Sequence, residues 1–298
     1  MLENTEKKPV KILLLLFVIL IPTLIYYFWG DKKIEAKKIS MQQQNILLPR
    51  KYLLPNLVEN PPTKEIPPET INENKQLRVP ILMYHYIDKA PSESKLPTLY
   101  TEPEIFENQV KSSLEMGYKT VFTSELGSYF KSGRALPDNP IIFTFDDGYE
   151  DFYFKAFPIL KKYKAKGVLY VIVESVGKPG YITKDQAKEM VQSGFVEIGS
   201  HTLNHTNLSS VDKIKALNEL LESKNKLSEI IDKEVVSFAY PFGKFTYRDE
   251  LLAEKAGYLS SASTFPGIVQ KKTQLHTLYR LRPGKRISAD YINWLNKQ

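Results

Sequence analysis

Asp146 and Asp147 stand side by side ahead of Gly148, and His201 and His205 stand four residues apart in a chain that has 4 histidines in all. Adjacent carboxylates can divide work that neither does alone: one binds a cation and stays ionised, while the other accepts a proton from water. The same tripeptide is also ordinary turn chemistry, because the glycine lets the backbone reverse tightly. Imidazoles at i and i+4 lie on one face of a helical turn, within reach of a single ion, although two unrelated histidines can also fall at that spacing. Taken together, the two groups point to metal-assisted hydrolysis. The chain has no cysteine, so thiolate zinc sites, cysteine nucleophiles and disulfides are excluded, and a metal must be held by histidine and carboxylate.

These residues need a scaffold that delivers them to one place. From residue 79 onward, short β-branched runs alternate with longer stretches of helical period. The alternation predicts strands at 79–84, 141–145, 168–173, 196–198, 235–239, 259–262 and 278–281, with a weaker one at 120–122. It predicts helices at 104–116, 151–164, 184–193, 211–231, 247–256 and 288–296, several of them stopping near a glycine such as Gly117, Gly194 or Gly257. Repeated βα units imply a parallel sheet, and the expected fold is α/β, an incomplete or distorted (β/α) barrel. On that scaffold His85, the two aspartates, the two histidines and Tyr240 all follow predicted strands. A barrel gathers the C-terminal ends of its strands on one face, so segments far apart in sequence converge on one site. Neither G-x-x-x-x-G-K-[ST] nor a strand-linked G-x-G-x-x-G is present, which argues against nucleotide chemistry.

Three ordered motifs make the chemistry more specific. Thr144-Phe145-Asp146-Asp147-Gly148-Tyr149, Ser200-His201-Thr202-Leu203-Asn204-His205 and Ala239-Tyr240-Pro241-Phe242-Gly243 resemble motifs of the NodB-type polysaccharide deacetylases, carbohydrate esterase family four. The resemblance runs from about residue 79 to 282. It implies hydrolytic removal of N-acetyl groups from an extracellular N-acetylglucosamine polysaccharide. It further implies that Asp147, His201 and His205 bind a divalent metal, with zinc first and cobalt or nickel as alternatives, and that Asp146 is the general base. Tyr240 would lend its backbone N–H to an oxyanion hole, and Pro241 and Phe242 would line the substrate groove.

His85, in Pro80-Ile81-Leu82-Met83-Tyr84-His85, resembles the acid histidine of the biofilm-exopolysaccharide branch, where the chain order is permuted and that histidine comes first. That likeness favours His85 over His276 as general acid, and poly-β-1,6-N-acetylglucosamine over peptidoglycan as substrate. The arginine that the family usually carries in its third motif is missing ahead of Tyr240; Arg280 and Arg282, at the last predicted strand, are the candidates to orient Asp146. A non-catalytic carbohydrate-binding module of the same fold is the contrasting reading, but such a module needs neither a base nor a metal triad.

Lys7, Lys8 and Lys11 precede an apolar run over 12–29 that has no charged residue. As a helix it would be roughly 27 Å long, close to the ~30 Å hydrocarbon core of a bilayer, and Tyr26, Tyr27 and Trp29 at its far end suit a membrane interface. The expectation is one uncleaved transmembrane helix within residues 1–30, a proline-punctuated stalk over 31–78, and the deacetylase domain over 79–298. That arrangement implies single-pass attachment to a bacterial cytoplasmic membrane, with the domain outside beside its polysaccharide and a membrane polysaccharide synthase. Cleavage and secretion is the alternative. The net charge of +7 is scattered rather than gathered into a stripe, which gives no case for nucleic acid.

Overall fold

Parallel strands covered on both faces must be apolar along their whole length. In the computed structural model, which describes residues 75–298, β2 (Ile81–Tyr84), β4 (Pro140–Phe145) and β5 (Gly167–Val171) are buried at every position. With β6 (Val196–Ser200), β7 (Ser237–Ala239) and β8 (Ser260–Ala262) they form one parallel sheet in the order β2-β4-β5-β6-β7-β8. The short β3 (Lys119–Thr120) pairs with the start of β4. Alternate side chains point to opposite faces. Ile81, Ile142, Val168 and Tyr170 share the inner core with Ala239, Ala262 and Leu278. Leu82, Tyr84, Phe143, Phe145 and Leu169 belong to the core beneath the helices.

Seven α-helices surround the sheet among the described residues: α1 (Pro103–Glu115), α2 (Thr123–Ser132), α3 (Phe157–Tyr163), α4 (Lys184–Gln192), α5 (Lys213–Ile231), α6 (Tyr247–Lys255) and α7 (Ser288–Asn296). The sequence pattern misses α2, whose Gly127 and interspersed serines dilute the apolar period. Two local features sustain it. The Glu125 carboxylate accepts from Phe122 N–H at 2.7 Å across the first turn. Gly127 lets the helix approach β8 so closely that a Cβ there would lie 3.0 Å from Leu259 Cβ. The helix expected over 151–164 opens as a π-helical turn, Phe152–Ala156, before α3.

The sheet curls without closing. The strand expected at 278–281 is not formed; Leu278 makes one bridge to Ala262 and Leu281 one bridge to Leu82, so a single segment touches both sheet edges. Between these bridges the Tyr279 groups are spent on the Gln270 side chain, which accepts from Tyr279 N–H at 3.0 Å and donates to Tyr279 O at 3.0 Å. Gln270 lies on β9 (Val269–Lys271), which pairs antiparallel with β1 (Gln76–Arg78), so the last residues ascribed to the stalk are strand.

Among the described residues no helix is long and apolar enough to cross a membrane. The transmembrane helix expected within residues 1–30 lies outside the described residues. The expected barrel is accordingly corrected to an open, curled α/β half-barrel, with no transmembrane helix among the described residues. Membrane attachment, the single-pass location and contact with a membrane synthase all followed from the helix and lose their structural basis with it.

Candidate metal centre and active site

The site is assembled at the C-terminal ends of β2, β4, β6 and β7. Asp146 leaves β4 with its N–H donated to Tyr84 O at 3.0 Å. The chain then passes through two left-handed positions, Asp147 at φ 79° and Gly148 at φ 84°, which aim the two aspartates at different partners. For a non-glycine residue such a conformation costs about 1–2 kcal/mol and persists only where surrounding contacts impose it.

Asp146 is buried, and Arg280 grips it with both arms, at 2.7 Å to Oδ1 and 2.8 Å to Oδ2. Arg280 is itself held by Ser263 O at 2.7 Å and Thr144 Oγ1 at 3.2 Å. Burial pushes the Asp146 carboxyl up, but the Arg280 charge, helped by His201, more than offsets it and leaves the carboxyl well below the usual range. Of the two arginines considered, the structure brings Arg280 to Asp146. Arg282 is exposed and, among the described residues, forms no ion pair with Asp146.

Asp147, His201 and His205 place one ligand atom each within 4.8 Å of one another. Asp147 Oδ1 lies 3.5 Å from His201 Nε2 and 3.4 Å from His205 Nε2, and it is buried with no hydrogen-bond partner. His201 Nδ1 lies 2.8 Å from Ala239 O. A carbonyl only accepts, so Nδ1 carries the proton and Nε2 presents its lone pair to the cluster. Burial pushes both imidazoles toward the neutral form and pushes the Asp147 carboxyl up. A buried oxygen without a donor, facing two neutral imidazole nitrogens, fits a divalent cation.

The i, i+4 histidine spacing does not mark a helix. Residues 201–205 form a loop in which Thr202 and His205 are both left-handed, at φ 66° and 58°. The loop is fastened by Glu219 of α5, which accepts from Leu203 N–H at 2.9 Å, Asn204 N–H at 3.1 Å and Thr206 Oγ1 at 2.8 Å. Sequence reasoning missed Glu219. Its one signal is an acidic residue on an apolar helix face, three after Ala216 and four before Ser223, all buried.

His85 faces the site, with Nε2 3.9 Å from Asp146 Oδ2, and burial lowers its pKa to about 4. His276 instead bonds Ser261 Oγ at 3.0 Å and has no ion pair with Asp146 among the described residues. Tyr240 is buried at the end of β7, but its backbone N–H donates to Ala262 O at 3.1 Å. That N–H is therefore committed to the sheet and is not directed at a ligand. Pro241 is buried, while Phe242, at φ 60° and 60% exposed, sets its ring 4.4 Å from His205. Tyr86 and Tyr149, unanticipated as site residues, stack at 3.8 Å beside Asp147.

Comparisons with known proteins agree with this geometry. The family profile described as polysaccharide deacetylase matches residues 133–260. YxkH of Bacillus subtilis (strain 168), named for that family, is 32% identical over 221 residues, 74% of this chain and 77% of its own. The poly-β-1,6-N-acetyl-D-glucosamine N-deacetylase of Staphylococcus aureus (strain MRSA252) is 29% identical over 199 residues, 59% of this chain and 68% of its own. The solved structure of the Streptococcus pyogenes deacetylase PplD in complex with acetate superposes with a TM-score of 0.69 at 28% identity, covering 74% of this chain and 98% of that one.

Proposed function

We propose that this chain, which belongs to the polysaccharide deacetylase family and is a metal-dependent N-deacetylase of amino-sugar polysaccharide, acts on poly-β-1,6-N-acetylglucosamine with Asp146 as general base and His85 as general acid. The unequal treatment of two adjacent carboxylates carries the assignment of roles. Asp146 is locked by a buried guanidinium, whereas Asp147 Oδ1 is left open beside two neutral imidazoles.

A divalent metal held by Asp147, His201 and His205, for which zinc suits the donor set, would supply Lewis acidity that polarises an amide carbonyl and makes water more acidic. The remaining work falls to the chain's own residues. Asp146 stays ionised against Arg280 and keeps lone pairs free to take a proton from the attacking water. His85, neutral at rest, stands 3.9 Å from Asp146 Oδ2 and can receive that proton at Nε2. It then delivers the proton to the amide nitrogen as the C–N bond breaks, releasing acetate and leaving a free amine on the sugar. Phe242 beside His205 and the buried Pro241 border the groove in which the sugar lies.

The β-1,6 linkage is supported by likeness to the Staphylococcus aureus enzyme of that name and by a histidine that precedes the aspartates in sequence. The acetate held by the Streptococcus pyogenes deacetylase is the acid that this reaction releases. The test is acetate release by the purified chain from β-1,6- and β-1,4-linked N-acetylglucosamine oligomers and from peptidoglycan, beside Asp146→Asn. Release confined to the β-1,6 series and lost in the variant is expected. Release only from β-1,4 oligomers or peptidoglycan overturns the substrate, and full activity in Asp146→Asn overturns the base.

A further inference from the structure

His201 and His205 reach the metal cluster by different means. The His201 ring is oriented directly, with Nδ1 2.8 Å from Ala239 O. The His205 ring makes no hydrogen bond among the described residues, and Phe242 beside it is itself 60% exposed, which makes it a loose neighbour. Yet His205 Nε2 stands 3.4 Å from Asp147 Oδ1, as close as His201 Nε2 at 3.5 Å. Its place is therefore set through the backbone, which at φ 58° holds a conformation that a β-carbon disfavours and that persists only where contacts impose it.

Those contacts converge on Glu219. Leu203 N–H and Asn204 N–H, before the histidine, donate to its Oε2 at 2.9 and 3.1 Å, and Thr206 Oγ1, after it, donates to Oε1 at 2.8 Å. Asn204 Nδ2 is a fourth donor at 3.2 Å, and Thr206 N–H closes the loop on Thr202 Oγ1 at 3.0 Å. Carbonyls of the same loop are taken by residues that follow β5, Thr202 O by Val173 N–H at 3.3 Å and Leu203 O by Glu174 N–H at 3.0 Å. The helix that carries Glu219 is tied to the end of β6, since Ser200 Oγ donates to Ser223 Oγ at 2.8 Å. Glu219 is buried, so without its carboxylate four donors of one loop would lack an acceptor, and the loop would have to change shape to find others.

We propose that Glu219 is a positioning residue for His205: by holding both sides of the left-handed turn, it sets the affinity of the cluster for its metal. The proposal rests on the metal reading of Asp147, His201 and His205. Glu219 acts through shape rather than charge, and glutamine can reproduce that shape. Its Oε1 accepts from the two backbone N–H groups, while its amide nitrogen donates to Thr206 Oγ1, which accepts as well as it donates.

Zinc Kd is measured on the metal-free full chain by competition with a chromogenic chelator, beside thermal melting of the same metal-free proteins. Glu219→Ala should weaken Kd by about 10- to 100-fold, and Glu219→Gln should stay within about threefold of wild type. Arg248→Met is the control. Arg248 of α6 binds Leu208 O at 2.7 Å and Val211 O at 2.9 Å, beyond the histidines, so its loss should lower the melting temperature and leave zinc Kd within about threefold. An unchanged Kd in Glu219→Ala overturns the proposal, as does a loss in Glu219→Gln or Arg248→Met as large as in Glu219→Ala. Should Glu219→Ala not fold, Thr206→Val decides: it removes one of the four bonds and should weaken Kd by about two- to tenfold, and no change overturns the proposal. Wild type that binds neither zinc, cobalt nor nickel overturns the metal reading and the positioning role with it, whereas zinc binding indifferent to Glu219 overturns the positioning role alone.

Discussion

Asp146 and Glu197 lie toward opposite ends of one parallel sheet and are held in opposite ways. At the C-terminal mouth, Asp146 meets a buried guanidinium that keeps it charged. Toward the other end, Glu197 of β6 is surrounded by hydroxyls, with Thr123 Oγ1 at 2.9 Å, Ser237 Oγ at 2.7 Å and Ser124 Oγ also donating. Burial pushes the Glu197 carboxyl up, and the hydroxyls only partly counter it. A full counter-charge keeps a buried carboxylate ionised; neutral donors satisfy its lone pairs without removing the cost of desolvation. The mouth is built to hold charge for chemistry, and the base to join α2, β6 and β7.

Chelation should separate the two ends most sharply. Acetate release should fall to background on stripping the metal and return on adding zinc. A metal at about 100 times its Kd also contributes about 2.7 kcal/mol to stability, so a lower melting temperature should accompany the loss. Full activity after metal removal would break the contrast at its root. Asp146→Asn comes next, with kcat expected to fall on the order of 10²- to 10⁴-fold. Arg280→Met leaves Asp146 buried and unpaired, at a cost of about 3–5 kcal/mol read by thermal melting. It should also move the acid limb of the pH–rate profile to higher pH, because Arg280 is what holds that carboxyl low. An unmoved limb would mean that Asp146 is not the group seen in the profile.

The smallest effect belongs to Glu197→Gln. The folded state holds the Glu197 proton above the unfolded carboxyl's pKa, so this group's contribution to stability is lost as pH rises through its folded value. The glutamine variant should therefore lose less stability between acidic and alkaline pH than the wild type does, and keep kcat within about twofold. A large loss of activity would show that the base of the sheet is coupled to the mouth.

Much of the site was legible because β-branched runs mark strands and the polar residues stand just after them: Asp146 and Asp147 after β4, His201 after β6, Tyr240 after β7. What sequence missed has no local mark. The i, i+4 histidines suggested a helical turn, yet the loop that carries them depends on Glu219, distant in sequence and placed by α5. The Tyr240 N–H looked available until β8 was seen to take it.

By itself the sequence determined the class of chemistry, because residue type decides what can ligate or carry a proton, and it determined the βα order, because apolar period follows local backbone geometry. Only the tertiary structure decided between Arg280 and Arg282, two residues apart on the segment that touches both sheet edges. The choice depends on which side chain faces the half-barrel interior, where a guanidinium must find a carboxylate to be buried at all.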